Sequence, residues 1–140
     1  FSRNMSLTGE CLCGSIKYTL NQPAAYQLAC ICTQCQKIGG GFGIGSLIVP
    51  KGSIDVQGKE HMKDFTLADS EKGIVRQFCT NCGTHLFAFG NTHPVIAVHG
   101  GTLDDSSKFN PQVVIWGQSK RPYHCFKEGV PVFDQYPPQS

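Results

Sequence analysis

The run Ile74-Val75-Arg76-Gln77-Phe78-Cys79-Thr80-Asn81-Cys82-Gly83-Thr84-His85-Leu86-Phe87-Ala88-Phe89 decides the fold. Apolar, strand-forming segments at 74–78 and 84–89 flank a Cys-x-x-Cys-Gly turn. The pattern predicts strand, knuckle, strand: a β-hairpin with two thiols at its tip. In such a knuckle the glycine tightens the turn, and backbone N–H groups turn toward the sulfurs. Two thiolates grip a metal ion without closing its shell, so this hairpin needs further ligands from elsewhere in the chain.

Working outward, the remaining cysteines supply them. Cys11-Leu12-Cys13-Gly14 and Cys30-Ile31-Cys32-Thr33-Gln34-Cys35 form two more clusters, so seven of the eight cysteines are grouped and Cys125 stands apart. Four thiolates complete a tetrahedron around zinc, whereas three leave a position for another ligand. Seven therefore divide into four plus three. Cys11, Cys13, Cys79 and Cys82 are two pairs from distant hairpins, the usual construction of a closed site. Cys30, Cys32 and Cys35 can wrap one ion from a single turn, and their natural fourth ligand is a soft anion such as a thiolate. Two alternatives remain open. Cys11 and Cys13 could join members of the central cluster, leaving Cys79 and Cys82 as a redox pair. Alternatively, Cys125 or a histidine could close the three-thiol site. A disulfide framework fits less well, because adjacent pairing at these spacings would be strained.

The rest of the chain is consistent with a small β domain helped by metal staples. Its 140 residues are read as one domain over 5–140, with residues 1–4 an appended remnant ahead of Met5. Sixteen glycines and eight prolines favour short strands joined by tight turns. A formal charge of +2 without a block of Lys or Arg gives no footprint for nucleic acid. The longest apolar run, 44–50, is too short to span a bilayer, so no membrane partner is expected. The N-terminus carries no apolar signal core, and clustered thiols need a reducing compartment, so a cytoplasmic location is expected.

Strands are expected over 14–20, with Ile16, Tyr18 and Leu20 on one face, and over 26–31, 45–49, 54–57 and 62–67. Further strands are expected over 74–78, 84–89, 95–99 and 113–116, the last a long one. Residues 34–38 form one helical turn before Gly39-Gly40-Gly41, residues 68–73 a polar loop, and 102–105 a turn or short helix. About nine strands and little helix make the chain mainly β.

These residues resemble the glutathione-dependent formaldehyde-activating enzyme family, which also includes centromere protein V. The family's Cys-x-Cys-Gly, Cys-x-Cys-x-x-Cys and Cys-x-x-Cys-Gly motifs stand here in order at Cys11–Gly14, Cys30–Cys35 and Cys79–Gly83. Phe42, Leu86-Phe87, Gly101–Asp105, Ile115-Trp116 and Pro131–Phe133 extend the match over almost the whole chain. The resemblance implies an Mss4-like β-tent of short antiparallel strands with zinc knuckles. It implies a structural zinc on Cys11, Cys13, Cys79 and Cys82, and a catalytic zinc on Cys30, Cys32 and Cys35. It implies a carbon–sulfur lyase acting on adducts of glutathione or a similar thiol. The chain departs from the family at Ile31, where many members have His, and at Gln36, where Arg is common.

Around the open site, Lys37 is a candidate for a glutathione carboxylate, and Gly39 and Gly40 for close backbone approach to the ligand. Arg76, Lys120 and Arg121 are further cationic candidates. His85, His93, His99 and His124 are possible proton carriers, with hydrogen-bonded structural roles the default for His85 and His99. Asp104 and Asp105 are expected to cap a turn. Phe42, Phe87, Phe89 and Trp116 are expected in the core. Two other functions stay in view: a two-zinc binding module without turnover, and a redox enzyme of methionine sulfoxide reductase type using Cys125.

Overall fold

The computed structural model describes residues 6–68, 70 and 73–138. The remnant read at residues 1–4, Met5, and part of the loop read at 68–73 lie outside the described residues. The described chain is mainly β, as expected, in two sheets. A three-stranded sheet has the order β1 (Leu7–Glu10), β2 (Lys17–Leu20), β5 (Ile54–Gln57). The larger sheet runs β10 (Val113–Ile115), β3 (Tyr26–Cys30), β4 (Ile44–Pro50), β9 (Val95–His99), β8 (His85–Gly90), β7 (Ile74–Cys79), β6 (Met62–Phe65). One helix, α1 (Thr33–Ile38), follows β3 directly.

The core lies between the sheets because alternation buries one face of each. Ile16, Tyr18 and Leu20 are at most 2% exposed and belong to one apolar cluster with Leu47, Val49, Leu86, Phe87 and Val98. Tyr18 meets Phe87 edge-on, with ring centroids 5.3 Å apart, which joins the small sheet to the large one. The Tyr18 hydroxyl donates to Thr102 Oγ1 at 2.7 Å, because Thr102 itself donates to the His99 carbonyl. Burial pushes this phenol up to about 12. On a second apolar cluster, Leu28, Ile48 and Ile115 pack with Trp116. Strand β4 thus sends Leu47 and Val49 to one cluster and Ile48 to the other, which is why its run of apolar residues is nearly unbroken.

Four features differ from the sequence reading. Strand β1 was not anticipated, since Leu-Thr-Gly-Glu shows little alternation. Its Gly9 is required by crowding, because a Cβ there would strike the Tyr18 ring and the Thr102 carbonyl. Strand β10 is only three residues long and pairs parallel to β3, not antiparallel. Trp116, next in the chain, ends that strand by taking a left-handed φ of 63°. Phe42 is not in the core: it is 66% exposed, at the apex of the glycine loop.

Candidate metal centres

Two hairpin tips meet at one end of the core. Cys11 and Cys13 occupy the β1–β2 turn, and Cys79 and Cys82 the β7–β8 turn. Both turns close through a left-handed glycine, Gly14 at φ 78° and Gly83 at φ 79°. Each glycine N–H bonds back to a cysteine carbonyl, that of Cys11 and that of Cys79. The four Sγ atoms all lie within 4.8 Å of one another. Cys11 and Cys13 sulfurs are 3.7 Å apart, and Cys13 and Cys79 sulfurs 3.8 Å. A zinc–sulfur bond of about 2.3 Å gives a tetrahedron edge of roughly 3.8 Å, so the donor set fits that ion.

Local donors support thiolates here. The N–H of Ile16 points to Cys11 Sγ at 3.3 Å and that of Asn81 to Cys79 Sγ at 3.4 Å. Ser15 Oγ lies 3.2 Å from Cys13 Sγ, and its hydroxyl stabilises the anion enough to pull Cys13 down to about 5. Thr84 does the same for Cys82, 3.2 Å away, lowering its pKa. Thr84 Oγ1 also accepts the Leu12 N–H at 3.1 Å and so ties the two knuckles together. Burial works the other way on Cys79, which rises to about 11. Neither Ser15 nor Thr84 was signalled by the sequence, because a hydroxyl two residues from a cysteine has no distinctive pattern.

Cys30, Cys32 and Cys35 form a second group, their sulfurs also within 4.8 Å of one another. Cys30 ends β3, Cys32 is the N-cap of α1, and Cys35 sits in the first turn. As N-cap, the Cys32 sulfur accepts the Cys35 N–H at 3.3 Å. The neighbouring Cys30 and Cys35 thiols and the backbone N–H groups of Cys35 and Gln34 hold Cys32 down at about 2. Cys30 is pushed up to about 11 by its proton shared with Cys32, and Cys35 is raised still further by both neighbours and burial. Packed this closely, the three thiols oppose one another's ionisation, and a cation among them would favour all three thiolates. Cys125 is exposed and belongs to neither group, and among the described residues no histidine joins the three thiols. The structure thus brings together the two groupings expected first, not the alternative pairing of Cys11 and Cys13 with the central cluster.

A loop from Gly39 to Gly43 follows α1. Gly39 caps the helix, its N–H bonded to the Cys35 carbonyl, and a Cβ on it would collide with the Gly43 carbonyl. Gly40 takes a left-handed φ of 77°. The loop is clamped from the C-terminal region. The Tyr123 hydroxyl donates to the Gly41 carbonyl, and His124 Nε2–H donates to the Phe42 carbonyl, each at 2.8 Å. His124 Nδ1 accepts the Arg121 N–H, which fixes that tautomer. Gln36 donates to the carbonyls of Ile31 and Ser119, both at 2.9 Å, bonds that pin α1 to the 117–119 turn.

A cavity of about 380 Å³ lies beside α1, against β6, β7 and β8. Ile38, Phe65, Leu67 and Phe78 wall it, and Lys37 and Arg76 flank it. His85 also lines it; burial first, and then the nearby Arg76 charge, keep this imidazole below its usual pKa. His99, deeper behind it, is bonded to the His85 carbonyl. Lys120, Arg121 and His93 are exposed and line no part of this cavity. Asp105 caps the 106–108 turn, as expected, whereas the Asp104 carboxylate accepts from the Thr8 hydroxyl on β1 and caps no turn among the described residues. Phe87 is in the core and Trp116 packs on the second cluster, while Phe89 lies under the Lys51 ammonium.

The family model described as "Glutathione-dependent formaldehyde-activating enzyme" matches residues 6–119, most of the chain and both sulfur groups. The chain belongs to that family. A Penicillium rubens protein provisionally named a glutathione-dependent formaldehyde-activating enzyme is 33% identical over 109 residues, 74% of this chain and 56% of that protein. A Halomonas elongata protein with the same provisional name is 30% identical over 113 residues, 76% of this chain and 71% of its own length. The chain spans about half the length of most of the curated relatives it matches. A crystal structure of a Rhodobacter sphaeroides protein superposes with a TM-score of 0.58 at 18% identity, covering 70% of this chain and 88% of that one. That likeness establishes the shared fold.

Proposed function

We propose that the chain is a zinc-dependent carbon–sulfur lyase that forms or cleaves adducts of glutathione or a similar thiol, S-(hydroxymethyl)glutathione being the type example. The observation that carries this reading is the asymmetry of the sulfur groups, one of four and one of three. Cys11, Cys13, Cys79 and Cys82 hold a structural zinc in this account, and Cys30, Cys32 and Cys35 a catalytic one. Zinc held by three thiolates supplies a position for a soft anion and lowers the pKa of a thiol placed there.

The chain's own groups do the rest. The neighbouring Cys30 and Cys35 thiols, and the Cys35 N–H pointing at its sulfur, lower the pKa of Cys32. Gly39, Gly40, Gly41 and Gly43 leave the loop after α1 bare of side chains apart from the exposed Phe42. Lys37 and Arg76 provide positive charge for a carboxylate of the thiol. In the forward direction a carbon–sulfur bond forms at an electrophilic carbonyl carbon and the thiol proton passes to the carbonyl oxygen; cleavage is the reverse. A reducing location, the cytoplasm, suits clustered thiols that must stay unoxidised.

Zinc stoichiometry and thermal stability of Cys11→Ser and Cys32→Ser, measured side by side, test the reading. Cys11→Ser is expected to lose folded structure. Cys32→Ser is expected to stay folded, to lose about one zinc per chain, and to lose turnover of the glutathione–formaldehyde adduct. Equal collapse of both variants would overturn the division into structural and catalytic sites.

A further inference from the structure

The cavity beside α1 has a hydrocarbon wall that the hydroxymethyl group of a formaldehyde adduct does not call for. A hydroxymethyl group adds two non-hydrogen atoms to sulfur and gains little from hydrocarbon walls. At about 380 Å³ the cavity falls within the size of small-molecule sites, roughly 300–1,000 Å³. Its walls include Phe65 and Leu67, two large apolar side chains that are 51% and 40% exposed. Phe78 stacks on His85 with centroids 5.3 Å apart, and burial first, then the Arg76 charge, lowers the pKa of that imidazole.

Two further features connect the cavity to the three-thiol group and suggest what occupies it. Gln34 stands between Cys32 and Cys35 in the first turn of α1 and also lines the cavity, so a single residue adjoins the two. Arg76 donates to the neutral Gln34 Oε1 at 2.9 Å, and among the described residues no carboxylate pairs with Arg76 or Lys37. The rim is thus cationic and the body hydrocarbon. An occupant must offer an apolar group and a negative charge.

We infer that this cavity is the subsite for an apolar substituent on the thiol adduct, so that the electrophile is an aldehyde bearing an aliphatic or aromatic group. This rests on the thiol-adduct reading above and narrows its substrate class. The step balances without a co-reactant. The sulfur–carbon bond forms as the carbonyl π bond breaks, and the thiol proton ends on oxygen as a hemithioacetal hydroxyl. Arg76 and Lys37 face a carboxylate of the thiol portion, and Ile38, Phe65, Leu67 and Phe78 enclose the substituent.

Calorimetric titration of the zinc-loaded protein with S-methylglutathione and S-hexylglutathione tests this, with 4-phenylbutyrate as a thiol-free probe followed by backbone NMR. The hexyl conjugate is expected to bind at least about tenfold more tightly than the methyl one, since each buried methylene contributes. Leu67→Asp should collapse that ratio to about one, while Leu67→Met should keep it; melting curves of both check that they fold. Phenylbutyrate should shift the amides of Ile38, Leu67 and Phe78. Equal binding of the two conjugates, or a ratio that survives Leu67→Asp, overturns the subsite and leaves the glutathione reading standing. If phenylbutyrate binds at these residues and neither conjugate does, the subsite stands and glutathione is the wrong thiol. Failure of all three probes overturns both.

Discussion

His99 shows how one buried side chain can set a pH limit on the whole domain. Its Nδ1 lies 3.0 Å from the His85 carbonyl, and a carbonyl only accepts, so Nδ1 carries the proton. Burial is the main reason its pKa falls to about 4, with the His85 and Arg76 charges adding to it. The folded pKa is below the unfolded one, so the unfolded chain binds the proton first. Stability is full above about pH 6.5 and declines as pH falls toward about 4, by roughly 3 kcal/mol from this group. Urea titrations of the wild type and His99→Gln at pH 7.5, 6 and 5 check this. Glutamine keeps a donor for the His85 carbonyl, so the variant should show the smaller acid loss, and identical slopes would rule the account out.

At the scale of the element, α1 and its glycine loop make the three-thiol group possible. The helix has only six residues, yet both ends are held: Cys32 caps the start, and Gly39 closes the end onto Cys35. The loop then returns to β3, where Gly43 sits against the Cys30 carbonyl and Ile31 at φ 120°, a conformation reserved for glycine. Gly43→Ala is expected to cost about 2–3 kcal/mol or to displace Cys30. Gly40→Ala, at φ 77° with open space around it, should cost only about 1–2 kcal/mol. Denaturant midpoints separate the two, and zinc content should fall by about one ion in Gly43→Ala alone. Retained zinc with an unchanged midpoint would show that the loop does not position the cluster.

On the scale of the whole molecule, the four-thiol group stands where the core closes. Cys11 and Cys79 are no more than 1% exposed and belong to the same apolar cluster as Tyr18, Leu47 and Phe87. The small sheet reaches the large one through that cluster, so an ion there would contribute directly to folding. Stepwise chelation of the zinc-loaded protein is expected to release one equivalent with near-ultraviolet circular dichroism intact. The second equivalent should leave together with the tertiary signal. Simultaneous release of both, or loss of structure with the first, would contradict unequal roles for the two sites.

Much of the framework is legible in the chain itself. The mainly β class follows from alternation such as Ile16, Tyr18, Leu20, and the 74–89 hairpin from two strand-like runs about a cysteine knuckle. The three cysteine clusters follow from spacing, and the tertiary structure brings the Cys11–Cys13 pair to Cys79 and Cys82 rather than to the central cluster. The helical turn at 34–38 and the strand at 54–57 are legible for similarly local reasons. Other features depended on contacts between distant segments. Strand β1 exists because Leu7–Glu10 finds β2 in register, not because its own residues alternate. The parallel pairing of β10 and the exposure of Phe42 likewise come from how remote elements meet. The cavity beside α1 draws on Ile38, Phe65, Arg76 and Phe78, four residues from three elements with no shared motif. Sequence alone determined which cysteines stand in short local clusters, since ligand spacing is a local property. Only the tertiary structure decided what lies next to that chemistry, because a pocket is made by chain segments whose order in sequence says nothing of their distance in space.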